Sequence, residues 1–131
     1  MLVRASLFAL LVPFAACSDS KNDASIDAPA SQNDAAAPSV TTVTCPASPA
    51  ATISAVNTTD AYSPSSATIS VDGIVKFVMP SDHDVVAGPS NTIDTGVAVG
   101  FSTTKCLKFS KAGTFGFHCG PHAFTGTVVV Q

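Results

Sequence analysis

The sequence predicts an all-β domain, an antiparallel sandwich or barrel of seven to eight short strands. Three observations carry this. Apolar and polar residues alternate with a period of two in several places, the signature of a half-buried strand. Gly, Pro, Asn and Asp recur every few residues between those stretches, as turns do. No segment of the 131 residues repeats its apolar positions with a helical period. The length points to one domain.

The N-terminus reads as an export signal over residues 1–16. Arg4 charges a short leading region, residues 7–14 are an apolar run too short to span a bilayer, and Ala15 and Ala16 are small residues before Cys17. The ending Phe14-Ala15-Ala16-Cys17 resembles a bacterial lipobox, with Phe14 in place of the usual leucine. That resemblance implies lipidation of Cys17, with Ser18 after it favouring the outer membrane; an ordinary secretory signal is the alternative. Residues 17–44 form the next block. Ala, Ser, Asp, Asn, Pro and Thr dominate it, and Ile26 is its one large aliphatic residue before Val40. Such a segment cannot bury enough apolar area to offset chain entropy, so it is expected to be a disordered tether.

Residues 45–131 carry the strands. Residues 51–56 are the first candidate, followed by a turn at Asn57-Thr58-Thr59-Asp60. Residues 67–71 alternate cleanly, Asp72-Gly73 is a hairpin signal, and residues 75–77 resume the alternation. Residues 80–84 read as a loop, Val85-Val86 as the start of another strand, and residues 88–94 as turn-rich. Residues 97–101 and 106–109 are further short strands. Lys111-Ala112-Gly113 turns the chain into residues 114–119. The last candidate, 127–130, is a continuous β-branched run suited to a strand buried on both faces. Phe101, Phe109, Phe115 and Phe117 are expected in the core.

Charge excludes one function class. The net charge is −3, with nine acidic residues, all Asp, against six basic ones. Within residues 45–131 four Lys face five Asp, which leaves no basic patch for nucleic acid.

The four cysteines constrain the chemistry. Cys17 goes to the lipid or is removed with the signal. An exported protein should not leave Cys45 and Cys106 free, so a Cys45–Cys106 disulfide is expected; pairing of Cys119 with either remains the competing arrangement. Cys119 follows a strand with inward aromatics and precedes Gly120-Pro121, with His122 three residues on. A thiolate and an imidazole on one short loop can face a single metal ion, and His83 is the obvious further ligand. Two His nitrogens and a Cys sulfur form the donor set of a blue-copper electron-transfer site. By strand alternation His118 points away from Cys119 and is read as a non-ligand. Asp82 and Asp84 are read as shaping the loop around His83.

Three motifs, in order, resemble the cupredoxins of the plastocyanin and amicyanin type. Tyr62-Ser63-Pro64 with Ile69, Val71, Gly73, Val75 and Phe77 matches the family's opening aromatic-x-Pro, strand, Gly turn and strand. Asp82-His83-Asp84-Val85-Val86 looks like the segment that holds the first copper histidine. Residues 113–122, closing with Gly126-Thr127-Val128-Val129-Val130, resemble the ligand loop and last strand. The resemblance implies a Greek-key β-sandwich over 45–131, copper (Cu+/Cu2+) as cofactor, and His83, Cys119 and His122 as equatorial ligands. One departure stands out: the family's weak axial Met is missing. Counting from His122 puts Thr125 in its place, and counting back from Gly126 puts Phe124 there. Phe124 fits either the core or an apolar docking patch.

These readings converge on a monomeric, lipid-anchored copper protein that passes single electrons between redox proteins of the cell envelope, either on the outer membrane facing the periplasm or free in the periplasm. It is not expected to be an enzyme, because no Ser-His-Asp set is suggested and a hydrolytic zinc site keeps an open position beside a general base. Two alternatives are a non-redox module for copper binding and delivery, and a metal-free sandwich acting as a binding domain.

Overall fold

A computed structural model describes residues 37–131. The expected signal peptide (1–16), Cys17 and the tether up to residue 36 lie outside the described residues. Nine strands are described: β1 (Val40–Val43), β2 (Ala51–Val56), β3 (Thr59–Ser63), β4 (Ser66–Ile69), β5 (Ile74–Val78), β6 (Val86–Asn91), β7 (Thr104–Phe109), β8 (Gly113–His118) and β9 (Thr125–Val130). They form two sheets, in the orders β1-β7-β5-β2-β3 and β4-β9-β8-β6. Pairing is antiparallel except for β2 with β5 and β4 with β9. The described residues contain no helix long and apolar enough to cross a membrane.

Alternation decides which side chains fill the space between the sheets. Val75 and Phe77 of β5, Leu107 and Phe109 of β7, and Phe115 and Phe117 of β8 are fully buried there. They join Ile53, Val128 and Val130 in one core. The rings meet edge to face, Phe77 on Phe117 at 5.5 Å and Phe109 on Phe115 at 5.2 Å, the arrangement that aromatic quadrupoles favour.

A disulfide joins Cys45 to Cys106, with Cα atoms 5.1 Å apart. Cys106 alternates with Leu107, so it points to the outer face of its sheet. The chain between β1 and β2 must pass β7 and β5 to reach its place in the sheet. The disulfide pins that crossing to β7.

Several elements differ from the sequence reading, each for a local reason. The sandwich begins before Cys45: residues 40–43, assigned above to the tether, form β1 on the edge of β7. Only Val40 of the four is buried, so no alternation announces the strand. Residues 59–63 form β3 rather than continuing the turn, which is confined to Asn57-Thr58. Asp72-Gly73 does not close a hairpin, because β4 and β5 lie in different sheets. The turn carries the chain from one sheet to the other, with Asp72 at a φ of 65° and Gly73 N–H donating to Ser70 O at 2.9 Å. Gly88 and Pro89 lie inside β6 instead of a loop. This strand is a sheet edge with a register shift between Ala87 and Asn91, where a proline is tolerated. Residues 97–101 are not a strand; only Val99 bridges to Val85. Phe101 falls in the turn that follows and is 47% exposed, not core. β9 is buried on one face only: Val128 and Val130 point inward while Thr127 and Val129 lie half-buried.

Gly126 marks a close approach. A Cβ there would run into the Phe117 ring and meet Ser65 O at 3.1 Å.

Candidate metal centre

Two loops at one end of the sandwich supply the chemistry. His83 lies between β5 and β6. Cys119 and His122 lie between β8 and β9. The β8–β9 ladder runs up to the pair His118–Thr125, and Cys119 N–H then donates to Phe124 O at 3.0 Å. Ala123 N–H turns back onto Cys119 O at 2.8 Å. Ala123 takes a φ of 58°, a left-handed conformation that lets so short a loop close.

The three donors converge. His83 Nδ1 lies 3.1 Å from His122 Nδ1, and Cys119 Sγ lies 3.6 Å from the first and 3.7 Å from the second. A point equidistant from all three lies about 2.0 Å from each, near the length of a bond between a first-row ion and imidazole. The donors thus fit one ion without rearrangement. His83 and Cys119 are fully buried, whereas His122 is exposed. Cys119 is the free cysteine of the described residues.

The surrounding bonds select which nitrogen is offered. His83 Nε2 lies 3.1 Å from Val56 O. A carbonyl can only accept, so Nε2 carries the proton and the Nδ1 lone pair faces the other donors. No side-chain pattern could have revealed this role for Val56, because a backbone carbonyl supplies it.

Asp84 ties the two loops together. Its Oδ1 accepts the Gly120 N–H at 2.7 Å, and its backbone O accepts the Tyr62 hydroxyl at 2.6 Å. Burial pushes the Tyr62 phenol well above its usual value, and the charges of Cys119 and Asp84 push the same way. Tyr62 therefore stays a donor. Its ring also packs on Phe117 at 4.8 Å and on Phe124 at 4.5 Å. Tyr62 entered the sequence reading only as part of a motif, and its position under the site emerges from the fold. Asp82 Oδ1 sits 3.8 Å from His83 Nε2 and has no hydrogen-bond partner.

His118 stays outside the cluster, with its Nδ1 3.2 Å from Gly88 O. The register places Phe124 and Thr125 on different faces of the hairpin. Thr125 pairs with His118 and shares its face of the hairpin, away from the donors. Phe124 pairs across from Cys119, and its ring lies 5.0 Å from that of His83 and 6.4 Å from that of His122.

Among solved structures the chain is similar to amicyanin. The reduced Cu(I) form at pH 4 of one amicyanin mutant is 22% identical, with a TM-score of 0.55, covering 71% of this chain and 99% of that one. The oxidized form of another mutant is 24% identical, with a TM-score of 0.54 and the same coverage. Amicyanin from Paracoccus versutus (Thiobacillus versutus) is 20% identical, with a TM-score of 0.56, covering 72% of this chain and 99% of that one. No family model matches the sequence, and no curated protein matches it. The chain has the cupredoxin-like fold.

Proposed function

We propose that this protein binds one copper ion through His83, Cys119 and His122 and acts as a single-electron carrier in the cell envelope. The observation that carries the proposal is the convergence of two imidazole Nδ1 atoms and one thiol sulfur, each pair within 3.7 Å, from two loops distant in sequence. A copper ion held there supplies a one-electron couple between Cu(I) and Cu(II). The chain supplies rigidity: Val56 O fixes the His83 tautomer, and Asp84 locks one ligand loop against the other. Burial of His83 and Cys119 keeps water from the donors, and the exposed His122 brings one edge of the site to the surface. The amicyanin structures are described in their Cu(I) and oxidized forms, which supports the same couple here.

On this reading the protein is not an enzyme, works as a monomer, and meets redox proteins of the envelope through the face around His122. Export over residues 1–16 and anchoring through Cys17 would hold it on the outer membrane facing the periplasm; without the lipid it would be periplasmic. A second reading, copper capture and delivery without electron transfer, draws on the lack of a methionine in residues 123–126 after His122.

Absorption spectra of the copper-loaded protein and of Cys119→Ser test the proposal. The Cu(II) form should show intense thiolate-to-copper charge transfer that Cys119→Ser abolishes. A colourless protein that takes up Cu(I) only would favour delivery, and no uptake of copper at all would leave only a β-sandwich binding domain.

A further inference from the structure

The hairpin that carries Cys119 also determines what lies beside the three donors. We propose that Phe124 fills the place of a fourth side-chain donor with an apolar ring. The centre would then hold its ion through three side chains and discriminate against ions that require four. The inference rests on the metal-site reading above and concerns the selectivity of that site.

Cys119 and Phe124 face each other across the end of the β8–β9 ladder, so their side chains share one face. That places the Phe124 ring against both imidazoles, edge-on to His83 and nearly parallel to His122. Tyr62 backs it from behind at 4.5 Å, which limits its freedom to swing away. Thr125 is on the opposite face with His118. The Tyr62 hydroxyl is committed to Asp84 O, and the Asp84 carboxylate to Gly120 N–H. Asp82 Oδ1 approaches the Nε2 edge of His83, the edge away from Nδ1. Met79 is the one thioether of the described residues and is buried in the core.

A phenyl ring has no lone pair to give, so the centre offers a trigonal set of two nitrogens and one sulfur. Zinc in protein sites is nearly always four-coordinate, so with three side chains it needs a water in the fourth place, which the Phe124 ring would cover. Copper tolerates that trigonal set with a weak or long axial bond. Phe124 thereby acts as a specificity residue.

The experiment compares unmutated protein with Phe124→Met, Phe124→Leu and Met79→Leu. Cu(II) absorption and paramagnetic resonance spectra are recorded, and Zn(II) competes with Cu(I) in the presence of a Cu(I) chelator. Unmutated protein, Phe124→Leu and Met79→Leu should share one spectrum. Phe124→Met should shift that spectrum and widen the preference for Cu(I) over Zn(II), because the gained thioether is a soft donor that Cu(I) accepts and that zinc sites do not use. A Phe124→Met spectrum and preference identical to the unmutated protein overturn the inference. So does a Met79→Leu spectrum that changes, because Met79 would then be the donor. Met79→Leu leaves Phe124 in place, so this arm decides even if Phe124→Met does not fold. Absence of thiolate-to-copper absorption in the unmutated protein sinks the metal-site reading itself, whereas its presence with indifference to Phe124→Met sinks this inference alone.

Discussion

Replacing Asp94 with alanine should cost about 3 kcal/mol of folding stability near neutral pH, near the upper end for hydrogen bonds to a charged group, and the cost should shrink in acid. Asp94 follows β6 and is 9% exposed. Its Oδ2 accepts the Ser39 N–H and the Ser39 hydroxyl, each at 2.7 Å, and its Oδ1 accepts the Gly96 N–H at 2.8 Å. These bonds fasten the entry of β1 to the loop after β6. Hydrogen bonds to a charged acceptor contribute about 1.5–3 kcal/mol each, but they are not additive. The four-residue edge strand β1 can also loosen to rehydrate the abandoned donors. The total is therefore set near that of one or two such bonds. Burial alone would raise the Asp94 carboxyl. The Ser39 hydroxyl and the N–H groups of Gly96, Ser39 and Val40 outweigh it and hold the carboxyl below its ordinary value of 3.8. A group with a depressed folded value stabilises above the unfolded value, and that stability is lost as pH falls through the folded one. The gap between unmutated protein and Asp94→Ala should be full at about pH 6 and above, as only the unfolded group titrates near 3.8, and should shrink at lower pH. Guanidinium denaturation followed by circular dichroism, with the disulfide intact, measures it at each pH. A neutral-pH difference under about 0.5 kcal/mol, the ordinary scatter of surface changes, would refute the argument. So would a gap that stays constant into acid.

Other perturbations probe the site and its supports. Asp84→Ala should weaken Cu(I) binding by about tenfold or more in a chelator competition, because Gly120 N–H loses its acceptor, while Asp84→Asn keeps an oxygen there and should lose less. Equal losses from the two variants would argue against the staple. Gly126→Ala should destabilise by about 1–3 kcal/mol in urea, since the new methyl meets the buried Phe117 ring; an unchanged midpoint would show that the ring can move aside. Replacing Cys45 and Cys106 together with serine opens a loop with a sequence separation of 61 and should cost about 4 kcal/mol in the chain-entropy model, read as a lowered melting temperature with the copper spectrum retained. Loss of that spectrum in a still-folded double variant would place the crossing segment in control of the site.

The sequence alone determined the β class and most strand positions and pointed to His83, Cys119 and His122 as candidate donors, because these depend on local signals. A period of two places Val75, Phe77, Leu107, Phe109, Phe115 and Phe117 inside without knowledge of any partner. Cys119 and His122 lie on one short loop, so their chemistry shows at a glance. Where partners matter, local signals fail. Residues 40–43 carry no alternation and become β1 only because β7 leaves an edge to cover. Gly88 and Pro89 read as a turn until an edge strand accommodates them. Asp72-Gly73 has hairpin chemistry, but sheet assignment is a non-local decision, and the turn links two sheets instead. Counting could not say which of Phe124 and Thr125 shares a face with Cys119, since the β8–β9 register determines which face each side chain takes. The Val56 carbonyl that orients His83 has no residue signature, because every residue owns one. Tertiary structure thus decided the orientation of the donors and what closes the space beside them, since both depend on backbone atoms and registers that bring distant segments together.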